Sequence, residues 1–241
     1  MTPLLADIAR EAWARWRRDR EALALVAGVF LFVPLFAWFL LIPEPVRPAT
    51  ATDQQAYAIV VAWIGANLYW LMLRIAFELY AAAVLLGFYL WRDHATLGAL
   101  LKGASVALPG FAAAVLASWG LIALGFGAFI VPGIYLYGRV ALAGPVYVAE
   151  PNVGAFGALA RSFALTHNQG WRVALSLAAP LLAGVLALRL VSGIEALAGE
   201  GQVVTAVCAG LGAAAGAATG IAAALFKVAL YRRLSAPRHG I

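Results

Sequence analysis

PGIYLYGRVALAGPVYVAEPNVGAFGALARSFALTHNQGWR, residues 132–172, carries the information from which the rest of the chain can be read. Pro132-Gly133 stands between two long apolar runs, where a helix breaker lets the chain reverse at a membrane face and start back. The returning run, Ile134 to Ala149, contains Arg139 and closes at Glu150-Pro151, a charge followed by a residue that cannot continue the helix. A charged residue at the centre of such a run costs about 2.5–3.5 kcal/mol on insertion scales, so Arg139 is expected to face protein or water. Asn152 then caps a short helix with Phe156, Leu159, Ala160 and Phe163 on one face and Arg161, Ser162 and Thr166 elsewhere. That helix is expected to lie in the membrane surface. Gly170 permits a turn, and Trp171-Arg172 anchors the next span at headgroup level.

In the same stretch, Pro132-Gly133-x-Tyr135-Leu136 is followed by Arg139 six residues after the glycine, then Pro145, Glu150 and Arg161-Ser162-x-x-Leu165-Thr166. This order resembles the superfamily that includes YciC-like inner-membrane proteins and the membrane domain attached to some glycerophosphodiester phosphodiesterases. The resemblance covers most of the chain in layout and residues 132–172 in motif. It implies a six-span helical bundle with cytoplasmic surface helices and, for most members, no established activity. Phe163 stands where the superfamily usually has Trp. The 241 residues contain no soluble phosphodiesterase domain, so none of that catalytic chemistry carries over.

Composition agrees with a membrane bundle. The chain is 64% hydrophobic and 12% charged, with a mean hydropathy of +0.90, values outside the range of soluble domains. Its apolar runs exceed the roughly 18 residues needed to cross a bilayer as helix, and a transmembrane barrel would show short alternating segments instead. The lone Cys208 lies in an apolar run and reads as a packing residue. The net charge of +6 falls mostly at span ends, the positive-inside pattern with affinity for anionic headgroups, and calls for no nucleic-acid partner.

Taken in order, residues 3–21 read as an amphipathic helix, with Leu4, Ile8, Ala12 and Trp16 near one face and Arg10, Arg15, Arg17, Arg18 and Arg20 over the rest. The first span covers about 22–42, and the loop holding Glu44, Arg47 and Asp53 suits the external side. Residues 57–91 would make a helix roughly 52 Å long against a hydrocarbon core of about 30 Å. ANLYWLMLRIAFELYAAAVLL, residues 66–86, offers no Gly or Pro for a turn, so one long, tilted span is expected. Arg92, Asp93 and His94 end it on the cytoplasmic side, Thr96 to Ala107 forms a surface helix, and Pro109 opens the third span, about 109–130. The remaining spans are expected at 134–149, at 173–191 with Arg189 near its outer end, and at 203–227. Glu195 and Glu200 are external, and Lys227, Arg232, Arg233 and Arg238 mark an internal tail.

The fold expectation is therefore all-α: one membrane domain, residues 1–241, of six spans with amphipathic interfacial helices on the cytoplasmic side. Both termini are cytoplasmic, in a bacterial inner membrane. GALLKGASVAL (98–108) and GALARSFALTH (157–167) share Gly-Ala-Leu with a basic residue four positions after the glycine, which hints at three units of surface helix plus hairpin.

No phosphate loop, dinucleotide fingerprint, nucleophile elbow or zinc-protease motif occurs, and no cofactor or metal is implied. His94, His167 and His239 read as solvated or interfacial. Gly212, Gly216 and Gly220 form a small-xxx-small row for close helix approach, to a helix of this chain or of a second copy or other membrane protein. The candidate intramembrane site is Arg74, Glu78, Arg139 and Glu150: either a polar pocket for a headgroup or solute, or ion pairs orienting two spans, with Arg139 expected to pair with Glu78. Arg15, Arg17, Arg18, Lys102, Arg161 and Arg172 are the expected headgroup contacts. The leading functional expectation is a non-enzymatic inner-membrane protein that engages lipid or organises envelope components. A small polar-solute transporter or channel is the alternative, and a lipid-acting enzyme ranks third because no acid, base or nucleophile constellation is visible.

Overall fold

The computed structural model describes residues 4–43, 45, 48, 50–91, 96–199 and 201–236. Glu44, Arg47, Arg92, Asp93, His94, Glu200, Arg238 and His239, used above for topology, lie outside the described residues. The elements are α1 (Leu4–Ala27), a π-helical turn (Gly28–Phe32), α2 (Val33–Leu41), α3 (Asp53–Leu90), α4 (Leu97–Ala128), α5 (Ile130–Val140), α6 (Ala143–Ala149), a 3₁₀ turn (Pro151–Val153), α7 (Gly154–Leu165), α8 (Gly170–Ala198) and α9 (Gln202–Ser235). No strand occurs among the described residues. Five helical segments are long and apolar enough to cross a membrane: Leu5–Leu41, α3, α4, α8 and α9.

The long elements alternate in direction and close into a ring, α2 against α9, then α8, α5, α4 and α3, with α3 returning to α2. One end of the ring carries α6, α7, the start of α1 and the end of α9, and with them most of the described basic residues. We call it the basic end. α6 sits among the helices there, touching α3, α4, α7 and α9.

α3 runs unbroken for 38 residues. Thr52 opens it with a capping box, its hydroxyl accepting from the Gln55 N–H while the Gln55 side chain accepts from Thr52 N–H. Its two halves differ. From Leu79 to Tyr89 it is buried in the core, whereas between Tyr57 and Glu78 none of its residues is fully buried. The far half is tied to α2 by Trp63, whose indole N–H donates to the Pro43 carbonyl at 2.8 Å and whose ring meets Trp38 edge-on.

Three expectations about breaks are corrected. Pro132-Gly133 is not the reversal. The chain turns at Phe129, in extended backbone, and Pro132 falls in the first turn of α5, where a missing N–H leaves no bond unmade. Pro109 does not start a helix. α4 runs through it from Leu97, so the expected surface helix and span are one element. The expected span at 134–149 is two helices separated at Ala141-Leu142, each shorter than a crossing.

The N-terminal segment also differs in what covers it. α1 bends at Asp19 (φ −113°, ψ 16°), and Ile8 and Ala12, expected on a face given to the membrane surface, are buried against protein. Ile8 joins the cluster of Leu142, Val146, Val173 and Leu230. Charge reinforces the docking, because Arg233 of α9 pairs with Glu11 at 3.0 Å and with Asp7 at 3.8 Å.

The glycine row of α9 faces this chain's own first apolar helix. A Cβ on Gly212 would meet Phe39 at 3.3 Å, on Gly216 Leu35 at 2.7 Å, and on Gly220 Leu31 at 2.8 Å. The three glycines thus admit three large side chains, one per turn, along an antiparallel contact.

Candidate functional site

The four residues of the expected intramembrane site separate into three places. Arg74 and Glu78, one turn apart on α3, pair at 2.8 Å, and the Arg74 guanidinium also lies 5.0 Å from the Trp38 ring centroid. Both side chains keep about a third of their surface, 31% and 34%. They line a cavity of about 500 Å³ in the centre of the ring, to which α2, α3, α4, α5, α8 and α9 all contribute.

Arg139 is elsewhere, and it does not pair with Glu78. Its guanidinium donates to the carbonyls of Phe163 (2.9 Å) and Thr166 (3.1 Å), at the last turn of α7. In return the hydroxyls of Ser162 (2.8 Å) and Thr166 (3.1 Å) donate to the Arg139 carbonyl. The break after Val140 explains this arrangement. Ending α5 there strands its last carbonyls, and α7 ends nearby with the same deficit, so each helix satisfies the other's terminus. The ring of Phe163 lies 5.2 Å from the guanidinium carbon. Because α5 begins at Ile130, Arg139 sits near its end, toward α7 and away from the depth at which Glu78 would be met.

Glu150 closes a third junction. It accepts from the Tyr231 hydroxyl at 3.0 Å and forms an ion pair with Arg161 at 3.5 Å, tying the end of α6 to α7 and α9. The motif residues Arg139, Glu150, Arg161, Ser162 and Thr166 are therefore brought together as a structural joint at the basic end, outside the cavity.

The cavity contains a cation that the sequence reading placed in a cytoplasmic tail. α9 continues to Ser235, so Lys227 lies eight residues, or about 12 Å, inside its end. It shares a face with Gly216, Thr219, Gly220, Ala223 and Ala224, all of which line the cavity. Lys227 is enclosed within the bundle yet keeps accessible surface, which is the surface turned to that space. No hydrogen bond or ion pair joins it to any described residue. Tyr137 of α5 lines the same cavity and likewise has no hydrogen-bond partner among the described residues. The other hydroxyls there are occupied as donors, Ser118 to the Ala114 carbonyl and Thr219 to that of Ala215, both at 2.8 Å. The signal for Lys227 was a lysine at the end of an i, i+3, i+4, i+7 row of small residues, masked by placing the span end at 227.

At the basic end the expected headgroup residues fall into two groups. Arg15 is held by Glu11, with only 11% of its side chain exposed. Arg18 pairs with Asp19, which also accepts the Tyr89 hydroxyl at 3.0 Å, and Arg161 is engaged by Glu150. Arg17, Lys102 and Arg172 are exposed, and their side-chain cations have no partner among the described residues.

Among the described residues no group of three His, Cys, Asp or Glu is placed to hold a metal ion. No family model matches the chain, and no curated protein or solved structure matches it either.

Proposed function

We propose that the chain is a non-enzymatic integral protein of the bacterial inner membrane that holds an amphiphile, such as a membrane lipid or fatty acid, in the centre of its bundle. In this reading it crosses six times, with α5 and α6 together as the crossing that no single helix provides, and its basic end and both termini face the cytoplasm. The arrangement of surface helices and hairpins keeps the resemblance to YciC-like membrane proteins as the proposed kinship. The observation that carries the reading is the central cavity, apolar over most of its lining and charged only at Arg74, Glu78 and Lys227. Its size falls in the range of roughly 300–1,000 Å³ typical of ligand sites. A second hollow of about 490 Å³, in the crook of α1 against α9, is lined by Ala, Gly, Trp, Phe, Ile and Leu alone. In this reading a long apolar chain enters beside the far half of α3, where no residue from Tyr57 to Glu78 is fully buried. The exposed cations Arg17, Lys102 and Arg172 would add attraction to anionic headgroups of about 1 kcal/mol each.

Native mass spectrometry of the full chain released from detergent checks this. A bound lipid or fatty acid is expected to persist under conditions that strip detergent, and a spectrum of bare protein at every activation energy would remove the proposal. The topology has its own measurement. A cysteine replacing Asp53 should react with an impermeant maleimide from outside intact cells, and one replacing Arg161 should not. Labelling at 161 from outside would overturn the orientation.

Transport of a polar solute is the second reading, favoured by the interruption between α5 and α6, since Val140, Ala141 and Gly144 around it line the cavity. Against it stands the locking of that interruption by Arg139, Ser162 and Thr166.

A further inference from the structure

Lys227 places its amine inside a helical bundle with no counter-charge beside it among the described residues. An unpaired charge so placed is expensive, and proteins that keep one pair it, neutralise it or give it a ligand. Glu78, the one acid lining the cavity among the described residues, is already engaged by Arg74 at 2.8 Å. Counted as ionised, the three lining charges sum to +1. Tyr137 adds a second free donor to the lining, from α5, and among the described residues no acid is left free to pair with either of them.

The rest of the lining says what kind of anion fits. From Lys227 toward the far end, α9 lines the cavity with Ala224, Ala223, Gly220, Thr219 and Gly216 over roughly 16 Å, Leu31 and Leu35 closing over Gly220 and Gly216 and Gly184 packing on Thr219. These leucines, with Leu181, Val185, Phe111 and Val115, make the wall beyond Lys227 apolar. A compact inorganic anion would leave that apolar space unfilled. An apolar chain running into it from a head at Lys227 would fill it.

We infer that Lys227, assisted by the Tyr137 hydroxyl, is the headgroup contact of the central cavity, and that the ligand is a single-chain or double-chain amphiphile whose head carries a carboxylate or phosphate. This rests on the proposed function above and specifies which end of the ligand lies where: the anionic head on the side of the basic end, the chain toward α2 and α8. It also assigns different roles to the cavity's two cations. Arg74 is neutralised by Glu78 and braced on Trp38, whereas Lys227 is left for the ligand.

The test is a competition read by native mass spectrometry on the full chain in a non-ionic detergent, with oleate, dioleoylphosphatidylglycerol and dioleoylphosphatidylcholine as probes. Wild-type protein is expected to prefer the two anionic probes over the zwitterionic one by at least tenfold. Lys227→Met, which keeps the length and removes an unpaired charge, should fold normally and lose most of that preference. Lys227→Arg should keep it, and Tyr137→Phe should lower it several-fold. Arg17→Gln, at an exposed cation, should leave it unchanged. Comparison of oleate with phosphatidylglycerol distinguishes a carboxylate from a phosphate head. An undiminished anionic preference in both Lys227→Met and Tyr137→Phe would overturn the assignment while leaving the amphiphile reading intact. Wild-type protein that binds none of the three probes would instead remove the proposed function itself. Displacement of oleate by inorganic phosphate at equal concentration would overturn the amphiphile class in favour of a free anion.

Discussion

Gly138→Ala should leave little folded protein. A Cβ at position 138 would collide with the carbonyl oxygen of Gly170 and stand 3.0 Å from the Cβ of Ala174. The first of these is backbone at the start of α8 and cannot rotate away, so α5 and α8 would have to separate. Sliding offers no escape, because Gly170 is itself packed under Arg139 and Tyr135 of α5, at 2.9 Å from where its own Cβ would be. Arg139 in turn is pinned to the end of α7. Overpacking a core with movable side chains costs typically about 1–3 kcal/mol, and a backbone-to-backbone collision should exceed the upper figure. The measurement is thermal unfolding and monodisperse yield in detergent, with Gly120→Ala as the control, since nothing lies within 4 Å of a Cβ there. The control should be neutral or slightly stabilising, as a helical Gly→Ala change normally is. A Gly138→Ala protein within about 1 kcal/mol of wild type would mean that α5 and α8 are not in contact as described.

How much of this was legible in the sequence depends on the kind of signal. The all-helical class and the long apolar helices follow from composition and from run length, which are sums over many residues and tolerate local error. The single helix through residues 66–86 followed from an absence of Gly and Pro, and α3 indeed runs unbroken from Asp53 to Leu90. Breaks were harder, because a proline has two compatible places in a helix. Pro132 sits in a first turn and Pro109 in an interior, and each was read as the other kind of signal. The break that matters, Ala141-Leu142, lies just ahead of Pro145, which sits in the first turn of α6 and cannot donate to the Ala141 carbonyl four residues back. It is held by hydroxyls from α7, twenty or more residues away, and no local pattern reports a partner at that distance.

The candidate site shows the same division. Arg74 and Glu78 were legible because they are one turn apart on one helix, and the structure pairs them. The direction in which Arg139 points is set by where α5 begins and ends, so a four-residue error in its start at Ile130 carried it to the wrong partner. Lys227 was misplaced for a related reason. Basic residues at the end of an apolar run read as topology signals, and Phe226, Val228, Ala229, Leu230 and Tyr231 continue the run past it. Hydropathy treats that lysine as a boundary, while its helical register puts it on the row of small residues that lines the cavity.

Arg139→Ala should destabilise the protein by about 3 kcal/mol through the junction it makes, with no help from Glu78. Hydrogen bonds to a charged group contribute about 1.5–3 kcal/mol each, and the guanidinium makes two. Partial exposure of the side chain lowers the sum. Arg139→Lys should recover little, since an ammonium on a flexible stem does not reproduce the fork that reaches both the Phe163 and Thr166 carbonyls. Two double-mutant cycles, read by thermal unfolding in detergent, separate the possible partners. Thr166 both donates to the Arg139 carbonyl and accepts from its guanidinium, so Arg139→Ala combined with Thr166→Val should be strongly non-additive, with a coupling above about 0.5 kcal/mol. Arg139→Ala combined with Glu78→Gln should be additive, because Glu78 is satisfied by Arg74 and shares no partner with Arg139. Coupling in the second cycle and none in the first would restore the ion pair between α3 and α5 and dissolve the joint with α7. The reverse outcome makes the Arg-Ser-x-x-Leu-Thr motif a mutual cap for two helix ends, and leaves the charges of the central cavity free to be judged as a binding site on their own.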